Sequence, residues 1–310
     1  MSEEKTKYDI IIIGAGPAGY TAGIYCSRAR HNTLLISGIL PGGQLMNTTD
    51  VENYPGFDQG IMGPDLMLTM RKQTERMGTE IIDDEVVSVD FKNNPLKVST
   101  ASSTFEANSV IVCTGANPRK IGLDGEQTFA GKGVSYCATC DGAFFKNQEL
   151  IVVGGGDSAM EEATFLTKFA STVHIVHRRD GFRASKIMQE RALSNEKIKV
   201  HFNYTVEDIQ GDQKFQKVIL KNVKNDETVT LEAGGLFVAI GHEPNSKILD
   251  GQVELDENGY VILKNNTETS IPGVFCAGDV HDHRYRQAVT AAGFGCMAAI
   301  DADKYLAEQK

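Results

Sequence analysis

Tyr8-Asp9-Ile10-Ile11-Ile12-Ile13-Gly14-Ala15-Gly16-Pro17-Ala18-Gly19 decides the fold. Its apolar run has no polar alternation, so it reads as a strand buried on both faces of a parallel sheet. The run stops at Gly14, and Gly14, Gly16 and Gly19 make the G-x-G-x-x-G spacing. An Ala-rich helical stretch follows from Tyr20 to Arg30, then a second strand from Asn32 to Ile36. With a strand before, a helix after and another strand about 20 residues on, the three glycines read as a dinucleotide-binding turn. They let the backbone approach a pyrophosphate, while the helix N-terminus offers N–H donors and the positive end of its dipole.

The pattern returns later in the chain. Glu149 to Val153 is the strand, Gly154-Gly155-Gly156-Asp157-Ser158-Ala159 the fingerprint, Met160 to Lys168 the helix, and Ser171 to Val176 the next strand. Alanine in the last fingerprint position still permits close helix–strand packing. Between the modules, Gly78 to Val89 and Leu96 to Phe105 read as strands with polar alternation, and Ser109 to Gly115 as a buried strand ending in a glycine turn. Leu236 to Gly241 copies that ending in the second module, and Gly273 to Asp279 is another short buried strand. Ala288 to Glu308 has small and apolar residues at helical spacing. The expected fold class is α/β. Two proline-marked stretches, Ala116-Asn117-Pro118 and His242-Glu243-Pro244-Asn245, are the candidate crossings between domains.

The composition agrees. The 310 residues suit two domains of roughly 100–200 residues each. A hydrophobic share of 41% is enough for two cores and excludes wholesale disorder. Lys and Arg total 31 against 41 Asp and Glu, a net charge of -10, which argues against a general nucleic-acid or membrane-surface binder. The first apolar run is far shorter than a secretory core of about 7–15 residues or a spanning helix of about 20. A cytoplasmic protein is expected, in which a close cysteine pair is metal-binding or redox-active.

Each module has its own coenzyme preference. After the second fingerprint, the place of a ribose-binding acid carries His177-Arg178-Arg179, with Arg183 four further on. A charge run is ordinarily a solvated loop, but at the end of the second strand guanidinium forks match the 2′-phosphate of NADPH. After the first fingerprint stands Ile36-Ser37-Gly38, with no acid, which weakens NAD there and leaves FAD as the alternative. FAD needs further contacts, and Pro41-Gly42-Gly43-Gln44-Leu45 and Cys276-Ala277-Gly278-Asp279 are suited to give them. Asp279 is a ligand carboxylate at a strand's C-terminal end, or merely a helix cap or turn acid.

Cys137-Ala138-Thr139-Cys140 is the only close cysteine pair; Cys26, Cys113, Cys276 and Cys296 sit singly in apolar patterns. Structural zinc would need two more ligands at zinc-like spacing, so no metal is expected. The pair is read as a disulfide/dithiol, since this spacing closes a small ring and lowers one thiol's pKa. Asp141 is either a proton donor and acceptor for the outgoing thiolate or a turn residue with Gly142.

Taken together, Gly14 to Gly19, Gly42 to Leu45, Val51 to Gly56, Cys137 to Gly142, Gly154 to Ala159, His177 to Arg183, Gly278-Asp279 and Tyr285 to Ala288 resemble low-molecular-weight thioredoxin reductase, from about Tyr8 to the end. The resemblance implies two Rossmann-like three-layer domains, the second inserted into the first. Residues 1–117 and 246–310 would bind FAD, and residues 118–245 would bind NADPH and carry the disulfide. For FAD it implies Gly14, Gly16, Pro17, Ala18, Gly19, Ser37, Gly42, Gly43, Gln44, Leu45, Asn53, Thr114 and Gly115, then Gly278, Asp279, Arg286, Gln287 and Ala288. For NADPH it implies Gly154, Gly156, Asp157, Ser158, Ala159, His177, Arg178, Arg179, Arg183, Ile240 and Gly241.

Cys140 would face the flavin, Cys137 would attack the protein substrate, and Asp141 would be the acid/base. The implied function is NADPH-driven reduction of thioredoxin or a thioredoxin-like protein by a homodimer. An NADPH-dependent flavin enzyme serving another dithiol partner, glutaredoxin-like or peroxidase-coupled, is the alternative, as is a non-catalytic redox-sensing flavoprotein.

Overall fold

The computed structural model describes residues 6–309. The chain up to Asn117 and the chain from Glu243 onward make one compact unit, and Pro118–His242 makes a second. The crossings are short strands, Ala116–Pro118 and His242–Pro244, that pair with each other.

In the first unit, the strand Lys7–Ile13 lies between Thr33–Ile36 and Thr104–Val112, parallel to both. Ile10 to Ile13 are all buried, and they divide by parity. Ile10 and Ile12 join the core that holds Tyr20, Met67 and Ala298 from the helices Pro17–Arg28, Gly63–Arg76 and Ala288–Glu308. Ile11 and Ile13 join Val89, Val98 and Phe105 on the opposite face. One strand thus anchors two cores, each buried isoleucine contributing about 1.5–3 kcal/mol. Glu80–Ile82 extends one edge of this seven-stranded sheet. On the other side, Thr104–Val112 pairs antiparallel with Leu96–Thr100 through its first half and parallel with Val274–Cys276 through its second.

The second unit repeats the arrangement. Its parallel sheet runs Val134–Ser135, Gly235–Val238, Glu149–Val153, Thr172–His177, Ile198–Phe202. Leu150 and Val152 face the helix Asp157–Leu166, whereas Ile151 and Val153 face a three-stranded antiparallel sheet, Tyr204–Gly211, Phe215–Asn222 and Thr228–Glu232. Helix, parallel sheet and antiparallel sheet are its three layers.

Two stretches differ from the sequence reading. The expected strand Gly78 to Val89 is two strands, Glu80–Ile82 and Val86–Asp90, on opposite edges of the sheet. Asp83-Asp84-Glu85 breaks it, because three successive carboxylates do not pack on a sheet face. The expected strand Leu96 to Phe105 turns back at Ala101-Ser102-Ser103, where the Thr100 hydroxyl accepts the N–H groups of Ser102 and Ser103. Among the described residues no helix is long and apolar enough to cross a membrane, and no group of three His, Cys, Asp or Glu is placed to hold a metal.

Candidate active site

In the first unit the chain leaves the central strand at Gly14, which has φ +105 and donates its N–H to Ile36 O at 2.8 Å. A methyl there would overlap the Cys113 carbonyl, so glycine is required on both counts. Pro17 opens the following helix, whose first turn has no side-chain cap and no acidic residue, and a Cβ built on Gly16 would meet nothing within 4 Å. That leaves free N–H donors facing open space, the requirement for a pyrophosphate. Gly42 N–H bonds Ala15 O at 3.0 Å, which holds the Gly42-Gly43 turn beside this helix start.

The other expected contacts gather in the same unit. Asn53 Nδ2 donates to Gln287 Oε1 at 3.3 Å, which brings the Val51 to Gly56 segment to the Arg286-Gln287-Ala288 turn. Gln287 also caps the last helix through a reciprocal pair with Thr290. Gln44 Nε2 donates to Asn117 Oδ1 at 2.6 Å; Asn117 donates to Asn245, and Asn245 Nδ2 to Thr114 O. Asp279 is half-buried, but its Oδ1 is shut off from solvent and has no hydrogen-bond partner among the described residues; neither has the Thr114 hydroxyl. Burial, helped by the Asp282 charge and opposed by Arg286, pushes the Asp279 carboxyl up to about 7. A buried oxygen without a donor costs free energy until one arrives. The hydroxyls of a flavin's sugar-like chain fit that need, and the uncapped N–H groups at the start of Pro17–Arg28 fit a pyrophosphate.

Sequence reasoning missed the acid that accompanies Ser37. The Ser37 hydroxyl donates to Asp83 Oδ1 at 2.9 Å, and Arg71 clamps both Asp83 oxygens at 2.8 and 2.9 Å. The Arg71 bond, more than Ser37, holds the Asp83 carboxyl below the usual range. Its only sequence signal was the run of three acids.

In the second unit, Gly156 stands before the helix Asp157–Leu166 and again faces open space. The loop after the second strand folds back over the glycines: Arg183 and Ala184 donate their N–H groups to Gly155 O at 2.7 and 3.2 Å. Asp157 accepts both the N–H and the hydroxyl of Ser185. His177 packs on Gly155 and Phe182. Burial first, then three neighbouring arginines, lower its pKa, with a hydrogen bond to the Gly181 backbone opposing. Arg178, Arg179 and Arg183 are exposed and paired with no carboxylate among the described residues. Ala159 is buried against the sheet, and Gly241 closes the strand end with φ +100 while its carbonyl accepts Arg119 N–H. Ser158 and Ile240 are half-buried beside these turns.

Cys137 and Cys140 are joined as a disulfide, with Cα atoms 5.3 Å apart. Cys137 is the N-cap of the short helix Ala138–Asp141, and its sulfur accepts the Cys140 N–H at 3.2 Å. Asp141 accepts the Ser135 hydroxyl at 2.5 Å, and Ser135 in turn accepts the Cys137 N–H at 3.0 Å. Burial pushes the Asp141 carboxyl up, with Ser135 opposing. Cys26, Cys113 and Cys276 are free thiols in the core, and burial raises all three, so they stay protonated and inert.

Two dinucleotide folds in one chain, one of them carrying a disulfide beside a half-buried carboxyl, define a nucleotide-linked disulfide oxidoreductase. The sequence matches the pyridine nucleotide-disulphide oxidoreductases over residues 8–295, and the chain belongs to that family. Flavin and pyridine-nucleotide use is what membership implies. The chain is 55% identical to the thioredoxin reductase of Streptomyces clavuligerus, over 96% of this chain and 94% of that one. It is 53% identical to that of Mycolicibacterium smegmatis over the full length of both. Among solved structures, thioredoxin reductase from Giardia duodenalis superposes with a TM-score of 0.94 at 45% identity, covering 98% of this chain and 100% of the other.

Proposed function

We propose that this chain is an NADPH-dependent thioredoxin-disulfide reductase. The observation that carries the reading is the Cys137–Cys140 disulfide beside the half-buried Asp141, in a unit whose nucleotide turn ends in three unpaired arginines. Full-length similarity to proteins named thioredoxin reductase supports thioredoxin as the acceptor.

FAD belongs in the first unit. The N–H groups at the start of Pro17–Arg28 take its pyrophosphate, Asp279 accepts a hydroxyl of its side chain, and Asn53 and Arg286 to Ala288 line its ring. NADPH belongs in the second unit, with its pyrophosphate at Gly154 to Ala159 and its 2′-phosphate on Arg178, Arg179 and Arg183. When bound, the flavin supplies the two-electron link between nicotinamide and disulfide. The chain's own residues then complete the exchange. Cys137 attacks the partner's disulfide, Cys140 resolves the mixed disulfide, and Asp141 holds the exchanged proton. Because nucleotide site and disulfide share one unit while the flavin cradle is in the other, both are presented to one flavin in turn. A cytoplasmic homodimer completes the reading.

The test is the visible spectrum of the purified protein. A yellow preparation that bleaches with NADPH under argon and recolours when oxidised thioredoxin is added is the expected result. A colourless protein that does not take up FAD sinks the reading.

A further inference from the structure

Ser135 lies outside every motif that points to the site, yet it connects two parts of it. It ends the edge strand Val134–Ser135, set opposite Phe237 by parallel pairing, and is 5% exposed. Its hydroxyl donates to Asp141 Oδ2 at 2.5 Å while its oxygen accepts the Cys137 N–H at 3.0 Å. A serine hydroxyl has one proton and two lone pairs, so the two bonds are complementary. The neighbouring Tyr136 is anchored too, its hydroxyl 3.2 Å from buried Glu126, which also accepts the N–H groups of Ile121 and Gly122. Ser135 is therefore fixed from both sides.

We propose that Ser135 is a positioning residue for thiol–disulfide exchange, holding Asp141 beside the cysteine pair and keeping it able to accept the thiol proton. The inference rests on the reading of Asp141 as acid/base. In the exchange, the Cys137 thiolate attacks one sulfur of the partner disulfide, that S–S bond breaks, and the other partner sulfur leaves as a thiolate. The Cys140 thiol gives its proton to the Asp141 carboxylate, and the new thiolate attacks Cys137 Sγ. The Cys137–Cys140 bond re-forms, the second partner sulfur leaves, and water and Asp141 return the two protons to the partner dithiol. Two electrons pass from the enzyme dithiol to the partner, and no other oxidant is needed.

The electrostatics at Asp141 are simple. The helix packed against Ala138–Asp141 carries Asp157, Glu161 and Glu162, and Lys146 follows the pair's own segment. None of them moves Asp141, whose shift comes from burial upward and the Ser135 hydroxyl downward. Without that hydroxyl, the carboxyl rises further and is a base only at higher pH.

The experiment measures NADPH-to-flavin reduction and thioredoxin-linked kcat/KM against pH, in wild type, Ser135→Ala, Ser135→Thr and Asp141→Asn holoenzyme. Flavin reduction should be unchanged in Ser135→Ala. Its thioredoxin-linked kcat/KM should fall about ten-fold at pH 7, with the acidic limb displaced upward. Ser135→Thr should restore both. A lower rate with an unmoved limb means that Ser135 only supports the fold and overturns the proposal; so does an unchanged profile. If alanine does not yield folded protein, Ser135→Val against the isosteric Ser135→Thr makes the same comparison. A normal Asp141→Asn enzyme removes the acid/base reading and the proposal with it. A slow Asp141→Asn beside a normal Ser135→Ala removes the proposal alone.

Discussion

Cys140→Ser separates the two half-reactions. The hydride step does not use the sulfur, so NADPH should still reduce the flavin while disulfide reduction stops. Cys137→Ser should also stop turnover but leave Cys140 as a free thiolate beside the flavin. A long-wavelength charge-transfer band is then expected in Cys137→Ser and not in Cys140→Ser. The opposite pattern would exchange the roles of the two sulfurs. Asp279 allows a second prediction. A buried charge-assisted bond is worth roughly 1.5–3 kcal/mol, so Asp279→Ala should weaken FAD binding about 10- to 100-fold, read by flavin retention on dilution. The same residue has a pH signature in flavin-free protein. Its folded pKa of about 7 lies above its ordinary value, so its contribution to stability is full at low pH and is lost as pH rises through about 7. Asp279→Asn should therefore raise the Tm of flavin-stripped protein at pH 8 and have little effect near pH 4. Replacing Arg178 and Arg179 with neutral residues should lower kcat/KM for NADPH on the order of 100-fold and leave NADH nearly unchanged. An equal loss with both coenzymes would make the arginines a support of the fold.

At the scale of elements, the helices Pro17–Arg28 and Ala288–Glu308 pack by close approach, which holds in place the helix start proposed to take a pyrophosphate. A methyl at Gly295 would overlap the Ala18 carbonyl, in the first turn of Pro17–Arg28. Gly295→Ala should cost about 1–3 kcal/mol of stability and loosen FAD. Gly293→Ala in the same helix meets nothing within 4 Å and should be neutral or stabilising by about 0.5–1 kcal/mol. Equal effects in thermal unfolding would mean that helix propensity, not packing, governs both sites. These parallel-sheet elements were legible in sequence because burial on both faces leaves unbroken apolar runs, as in Ile10 to Ile13 and Leu150 to Val153. The antiparallel sheet Tyr204–Glu232 was not read: its buried residues, Val206, Ile209, Phe215, Val218 and Leu220, do not recur at a strict period of two, and Asp208, Lys217 and Lys221 dilute the signal. The break at Asp83 to Glu85 and the turn at Ala101 to Ser103 were likewise hidden inside alternating patterns. At the site, cysteines and glycines announce themselves by spacing. Ser135 and Asp83 gain their meaning from partners that only the folded chain brings near, six and forty-six positions away.

For the whole molecule, the proposed reading has one flavin in the first unit serve both a nucleotide and the disulfide of the second. If the motion that the family resemblance implies carries over, the inserted unit rotates about the crossings Ala116–Pro118 and His242–Pro244 to present nicotinamide and disulfide in turn. A covalent cross-link between the units should block either flavin reduction by NADPH or its reoxidation by the disulfide. Undiminished turnover in the linked protein would refute the motion. The net charge of -10 leaves the partner to be recognised locally, not by a general polyanion-binding surface. The central claim is tested most directly by steady-state oxidation of NADPH with oxidised thioredoxin as sole acceptor, beside the Cys137→Ser and Cys140→Ser variants. The account predicts thioredoxin-dependent NADPH oxidation, one dithiol formed per NADPH, abolished in both variants. NADPH oxidation that ignores thioredoxin, or thioredoxin reduction that survives loss of either cysteine, would contradict it.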